Sequence, residues 1–291
     1  MKRLSPHQVP GVYRRNVGDI AIATVNDGLL PSTFADIVGA DPAVCEAENR
    51  AAMRPIPPWL SLNCYLIETT DKLMLIDAGY GDTIPGVGKL LANLAVLGVK
   101  PGDIDAVLMT HLHADHDAGL INRQGNAVFP RAELVMHEDE LAFWRDERSI
   151  ELLSAGQKTD FALAQKVLAA YADRIRAVKA GDFASGVSAV PTPGHTPGHT
   201  AWRLSSGSEQ LLIWGDLIHH PGVQFAIPEA SVIYDADPKA AAAARRRVLD
   251  MASRDRIPVA GVHLDFPGYG VVTAKANGAY AYAPELWAST I

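Results

Sequence analysis

The chain has 291 residues, 48% of them hydrophobic, a net charge of −7 and a sequence pI of about 5.8. That length suits one large core, so a single domain over 1–291 with an irregular extension at about 1–17 is expected. The acidic balance argues against a nucleic-acid partner. No apolar run reaches the roughly 18–20 residues of a membrane span, and no secretory pattern follows Met1-Lys2-Arg3, so a cytoplasmic protein acting on a small molecule is expected.

Residues 19–25 read as a strand, ended by the turn chemistry of Asn26-Asp27-Gly28. Residues 31–58, with prolines at 31, 42, 55, 57 and 58, read as an excursion over the surface. Residues 63–68 and 73–76 make a hairpin, followed by Asp77-Ala78-Gly79. Leu90, Leu91, Leu94 and Leu97 give 86–98 a helical spacing, closed by Gly98. A buried strand is expected at 106–110 and another at 133–136. Helices are expected at 138–148, carrying Phe143 and Trp144, and at 161–178, with 149–160 loose between them. Asp237-Pro238 reads as an N-cap and first-turn proline of an Ala-rich helix reaching about Asp250. Its Arg245-Arg246-Arg247 reads as a solvated face. Cys64 belongs to a core strand and Cys45 to a polar stretch; their spacing fits no zinc or redox motif and no disulfide is expected.

Chemistry concentrates at His111-Leu112-His113-Ala114-Asp115-His116, at the end of the 106–110 strand. In an extended segment His111 and His113 share a face, and Asp115 with His116 reaches just beyond it. Imidazole and carboxylate together suit a borderline divalent metal. One cluster does not complete a site, because each zinc takes about four ligands. Other candidates also follow apolar strands: His195 and His199 in 192–199, Asp216 after Trp214-Gly215, and His263 after Gly261-Val262.

The ordered set HxHxDH, PGHTPGH, GD and a late His resembles the metallo-β-lactamase fold superfamily, over about residues 18–263. The resemblance implies an α/β fold, an αββα sandwich of two mixed β-sheets flanked by helices, with the metal site at one edge between the halves. It implies that His111, His113 and His195 hold one divalent metal ion and Asp115, His116 and His263 a second, with Asp216 bridging. Zinc is the expected metal, with manganese, cobalt or iron as substitutes. His199, Asp117 and His137 are left out of the ligand set. Asp77 is read as orienting a ligand histidine through its free ring N–H. A water shared by two ions about 3.5 Å apart ionises near neutral pH, so the expected nucleophile is a bridging hydroxide. Asp115 and His219 are the catalytic candidates.

Asp216 stands where many antibiotic-hydrolysing members carry Cys, which argues against a lactamase. His113, in place of Glu, and the lack of room for a flavin domain argue against a diiron oxygen reductase. No basic glutathione clamp is visible near the C-terminus. Residues 214–219 and the aromatics resemble organophosphate hydrolases of the methyl parathion type. By that resemblance Trp144, Phe161 and Phe225 line the substrate pocket, with Phe266 and Tyr269 joining them and Phe143 in the core; such a wall suits an aryl ester. His219 falls three residues past Asp216, where acyl-homoserine lactonases place a tyrosine, and is expected to donate to the substrate; His220 is the alternative. The expected function is a dinuclear-metal hydrolase of lactones, aryl esters or organophosphate triesters. The alternatives are an acyl-homoserine lactonase and a mononuclear-iron persulfide dioxygenase. Relatives are often dimers, so a homodimer is the expected assembly.

Overall fold

The structure, a computed structural model, describes residues 8–153 and 157–291. Residues 1–7 of the expected extension and 154–156 of the expected loose stretch lie outside the described residues.

Strand alternation builds the layers. A first seven-stranded sheet runs in the order β1 (Val12–Val17), β2 (Ile20–Pro31), β4 (Trp59–Glu68), β5 (Leu73–Ile76), β6 (Ala106–Leu108), β7 (Glu133–His137) and β8 (Ile175–Val178). Strand β3 (Ile37–Val38) pairs instead with β13 (Ser231–Val232). The second seven-stranded sheet is made of β9 (Gly181–Ala184), β10 (Val187–Pro191), β11 (Thr200–Ser206), β12 (Glu209–Ile213), β14 (Val259–Ala260), β15 (Tyr269–Ala274) and β16 (Tyr280–Pro284). Its spatial order is β16-β15-β14-β12-β11-β10-β9. The chain thus changes sheet at about residue 180, where the alternation of elements restarts in the sequence.

The helices are α1 (Pro42–Ala51), α2 (Leu90–Val96), α3 (Ala114–Asp117), α4 (Glu138–Arg145), α5 (Gln157–Ala170), α6 (Pro221–Gln224) and α7 (Pro238–Arg254). Successive strand side chains point to opposite faces. Met74, Ile76, Ala106, Leu108 and Val135 therefore face Trp202, Leu204, Leu211 and Ile213 of the other sheet. Their neighbours Leu75, Val107, Leu134 and Met136 point outward, into one cluster with Leu94, Leu141, Val167 and Leu168 of α2, α4 and α5. On the far side Ala201, Leu212 and Val259 meet Ala244, Val248 and Ala252 of α7. The result is the four-layer αββα sandwich. Strands covered on both faces read as continuous apolar runs, which is how 106–110 looks. Among the described residues no helix is long and apolar enough to cross a membrane.

Several local expectations are corrected. Strand β2 does not end at Asn26-Asp27-Gly28; it bulges there and continues to Pro31. Gly28 sits at φ +145, where a Cβ would fall 2.2 Å from Gly86 O. Buried Asp27 accepts the N–H groups of Tyr80 (2.9 Å), Gly88 (3.2 Å) and Leu90 (2.9 Å), so the turn-like residues anchor the loop after β5. Residues 31–58 are not all irregular. Asp41 accepts Ala43 N–H at 2.7 Å and Pro42 opens α1, the same signal as at Asp237-Pro238. Cys45, read as lying in a polar stretch, is buried there against Val223; both cysteines are free. Helix α5 stops at Ala170, and residues 175–178 are the edge strand β8, parallel to β7. The spacing of Leu168, Tyr171 and Ile175 continues the helical period across that break, so periodicity alone cannot mark it.

Arg245 is not on a solvated face. It is buried, and burial pulls its pKa down to about 10. Its Nε donates to Leu217 O (2.6 Å) and its Nη1 to Pro228 O and Ala230 O (both 2.8 Å), while Nη2 lies 4.0 Å from Asp235. Breaking a buried charged pair by removing one partner costs about 3–5 kcal/mol. Arg245→Met should lower unfolding stability by that order in a urea titration, whereas exposed Arg247→Met should stay within about 0.5 kcal/mol.

Candidate metal centre

The loops that matter all leave strand ends at one edge of the sandwich: after β5 (Asp77), β6 (His111 to His116), β10 (His195), β12 (Asp216) and β14 (His263). The two sheets are tied at that edge. Thr200 N donates to Thr110 O (2.9 Å), Trp202 Nε1 to Met109 O (3.1 Å) and Asn63 N to Val262 O (3.0 Å). After His113 the chain makes a single turn, α3, with His113 O accepting from His116 N (2.9 Å) and Asp117 N (3.0 Å). That turn swings Asp115 and His116 past the first two histidines.

Two groups of ligand atoms result: His111, His113 and His195, and beside them Asp115, His116, Asp216 and His263. His111 Nε2, His113 Nδ1 and His195 Nε2 form a triangle with edges of 3.1, 2.9 and 3.2 Å. His195 Nδ1 donates to Asp235 Oδ1 at 2.7 Å, which turns its Nε2 toward the other two histidines. His111 Nδ1 meets Thr110 Oγ1 at 3.0 Å in the same way. Burial holds the pKa of His111 and His113 well below the ordinary value, so both are neutral. Each of these nitrogens can present a lone pair, and three lone pairs this close would repel unless a cation lay among them. Nitrogens bound at about 2.0–2.1 Å to a tetrahedral zinc would be about 3.3 Å apart. The donor set therefore fits a divalent ion.

Asp216 stands between the groups. Its Oδ2 faces His195 Nε2 (3.3 Å) and His111 Nε2 (3.7 Å), its Oδ1 faces His116 Nε2 (3.1 Å), and His263 Nε2 lies 3.2 Å from Oδ1 and 3.3 Å from Oδ2. Burial opposes its ionisation, but His116, His263, His219 and His111 together hold its pKa well below the carboxylate range. Burial likewise disfavours the charged form of His116, yet Asp216, Asp115 and Asp77 outweigh it and raise its pKa well above normal. Asp115 completes the second group, 3.6 Å from His116 Nε2 and 3.5 Å from His263 Nε2, and is its most exposed member.

His116 and His263 are held from behind, as His111 and His195 are, whereas the Nε2 of His113 has no hydrogen-bond partner. Asp77 accepts both the N–H and the O–H of Thr110 (2.8 Å each) and lies 2.8 Å from His116 Nδ1. His263 Nδ1 donates to Ser61 O at 2.9 Å. His199 is no member of either group: its Nε2 accepts the backbone N–H of Asp216 at 3.0 Å and its Nδ1 lies 2.8 Å from Thr192 Oγ1. His219 Nε2 lies 2.9 Å from Asp216 Oδ2, and His195, Asp216 and His219 form a further close set. His220 turns away, 3.2 Å from Ser32 Oγ.

The aromatic wall is corrected. Trp144 and Phe161 are buried together in the core under the first sheet, ring centroids 6.0 Å apart, and Phe225 stacks on Tyr282 at 5.3 Å under the second. Tyr269 is buried between the sheets beside Tyr65, while Phe266 is partly exposed. Trp144 is fully covered, and Phe143, expected in the core, is only partly buried against it. The helical period brings residue 144, rather than 143, onto the face that meets the sheet. A cavity of about 900 Å³ instead passes Ala114, between His113 and Asp115, and is lined by Tyr80, Leu90, Leu91, Ile121 and Leu163, with Asp160 at its side. Burial and the nearby Asp115 raise the Asp160 pKa to about 7.

Sequence reading passed over two buried carboxylates. Asp235 backs His195 and also accepts Val232 N at 3.0 Å. Despite burial, its bond to His195, with His219 and Arg245 nearby, holds its pKa at about 2. Glu140 lies on the covered face of α4. The one available signal was an acid at a helical position flanked by Leu141 and Trp144.

Histidines and carboxylates gathered at one edge of an αββα sandwich make a metal-binding centre of the class this fold carries, and the chain belongs to the metallo-beta-lactamase superfamily, which it matches over residues 57–258. Among solved structures it is similar to the hydrolase AbOPH of the beta lactamase superfamily, 29% identical with a TM-score of 0.89 over 97% of this chain and 100% of that one. It is also similar to AidC, a dizinc quorum-quenching lactonase in complex with a product, 25% identical with a TM-score of 0.90 over 96% of this chain and 99% of that one. Among curated proteins it is 26% identical over 182 residues to an N-acyl homoserine lactonase of Bacillus cereus, covering 54% of this chain. It is 29% identical over 198 residues to a protein of Mycobacterium tuberculosis named as a probable metallo-hydrolase, covering 58% of this chain. The match spans 62% of the length of each of these two relatives.

Gly198, in the loop after β10, packs directly on α4: a Cβ there would lie 2.1 Å from Glu140 N and 2.5 Å from Glu140 Cα. Neither backbone atom can yield without moving the helix. Gly198→Ala should cost about 1–3 kcal/mol in urea unfolding, as overpacked cores do; an unchanged midpoint would show that the two segments separate freely.

Proposed function

We propose that the chain is a dinuclear-metal hydrolase of lactones and related esters. The carrying observation is the carboxylate of Asp216 between the two ligand groups, with Oδ2 toward His195 and His111 and Oδ1 toward His116. His111, His113 and His195 would hold one ion, Asp115, His116 and His263 the other, and Asp216 both. Two such ions lower the pKa of water and polarise a carbonyl or phosphoryl oxygen. The protein supplies the rest. Asp77, Asp235 and Ser61 fix which imidazole nitrogens carry protons. His219 lies beside Asp216 outside both trios, and its buried Nδ1 has no hydrogen-bond partner. Burial lowers the His219 pKa, and with Nε2–H donating to Asp216 the Nδ1 is placed to accept a hydrogen bond from the substrate, or to take the proton released in the attack and return it to a departing alkoxide.

Leu90, Leu91, Ile121 and Leu163 in the cavity near Ala114 suit an apolar chain, and the similar lactonase AidC is in complex with the product N-hexanoyl-L-homoserine. Aryl esters and organophosphate triesters need the same two-ion chemistry and stand as the second reading. Zinc is the metal we expect. A rate panel of acyl-homoserine lactones, aryl acetates and aryl triesters on zinc-reconstituted protein tests the ranking. Oxygen consumption with one iron per chain, and no hydrolysis, would overturn it in favour of a persulfide dioxygenase.

Asp216→Ala should lose metal and hydrolysis of every substrate; a variant that keeps two ions per chain and normal turnover would contradict the bridging role. His219→Ala should keep its metal yet lower kcat for lactones and alkyl esters by about 10²–10⁴-fold, the usual contribution of a positioned proton-transfer group. It should change p-nitrophenyl esters little, because that phenolate leaves unaided. Loss of an ion from this variant would instead make His219 a ligand.

A further inference from the structure

The three-histidine group is spread over two loops from different sheets: His111 and His113 after β6, His195 after β10. One side chain spans both loops. Glu140, fully buried on α4, accepts with Oε1 from Leu112 N (2.8 Å), the peptide between His111 and His113, and from Trp144 Nε1 (2.7 Å). Its Oε2 accepts from Thr196 Oγ1 (2.6 Å) and Gly198 N (3.1 Å), immediately after His195. Trp144, held by the same carboxylate, meets the His113 ring edge to face, with centroids 5.8 Å apart and an interplanar angle of 86°.

Four donors converge on this one group, and a carboxylate is the only ordinary side chain that accepts from all four without offering a proton. Burial raises the Glu140 pKa, while the hydrogen bonds from Thr196, Leu112, Trp144 and Gly198 oppose that rise. Helix α4 starts directly from β7, with His137 Nδ1 accepting Asp139 N at 3.2 Å, so the sheet fixes where Glu140 stands. The other group is braced elsewhere, His116 by Asp77 and His263 by Ser61 O.

We propose that Glu140 is the positioning residue of the three-histidine half of the centre. It sets the gap between the two ligand loops so that the three nitrogens converge on one divalent ion. The inference rests on the reading above only in that this half takes an ion; it does not need the second.

The test is zinc titration of metal-free protein against a chromophoric chelator, with circular dichroism and urea unfolding on the same samples. Glu140→Gln keeps the shape but turns one acceptor into a donor facing other donors. Loss of a group that supports metal ligands typically costs 10–100-fold in affinity. That loss is expected in the three-histidine half, and it should persist in a His263→Ala background, where the other half is disabled. Thr196→Val, which removes one of the four bonds, should weaken the same half as Glu140→Gln by a smaller factor, and decides the matter if Glu140→Gln does not fold. Equal weakening of both halves, or wild-type affinity in the His263→Ala background, overturns the proposal. Binding of a single ion by the unmutated protein would instead overturn the two-ion reading, while Glu140→Gln still decides the role of Glu140.

Discussion

A carboxylate buried between two groups of imidazoles is the constraint on which the rest of this structure depends. Asp216 is almost fully covered, and taking a carboxylate out of water costs several kcal/mol unless opposite charge surrounds it. Imidazoles on both sides keep it ionised. The same arrangement crowds three imidazole nitrogens within 3.2 Å of one another. Both features are unfavourable in a protein alone, and divalent cations relieve both. Strain of this kind is tolerated only where the surrounding fold over-determines it.

Here the over-determination comes from the sandwich. Ligands leave the ends of strands whose alternate side chains interlock the two sheets, so they inherit the rigidity of the core. Backbone hydrogen bonds from Thr200 to Thr110 and from Asn63 to Val262 then pin the sheets at the ligand edge. A second layer of buried polar groups, Asp77, Asp235, Ser61 and Thr192, orients the rings of His116, His195, His263 and His199. Histidines therefore divide by what stands behind them: His199 spends both nitrogens within the protein, whereas His113 and His219 each keep a buried nitrogen without a partner.

The sequence carried the centre more clearly than its surroundings. Metal-binding residue types are few, and their clustering after apolar strands is visible without coordinates; the same motifs led to the superfamily and to the layer order. Elements set by tertiary partners were harder to read. Asp27 looks like a turn residue because the chain does turn there, but within a bulge that continues the strand. Arg245 looks solvated because its three carbonyl partners come from residues 217–230, distant in sequence. Trp144 looked like a pocket wall because an aromatic pair does not say which ring faces the sheet. Glu140 and Asp235 gave little signal, since a buried acid and an exposed one are the same letter. Asp41-Pro42, by contrast, offered a legible cap that the surrounding prolines obscured.

Anomalous X-ray diffraction at the zinc edge, on crystals of the zinc-reconstituted protein, tests the central claim most directly. Two peaks about 3.5–4 Å apart are expected, one within bonding distance of His111, His113 and His195, the other of Asp115, His116 and His263. The Asp216 carboxylate should touch both. A single peak at full zinc loading, or two peaks with Asp216 bound to neither, would contradict it.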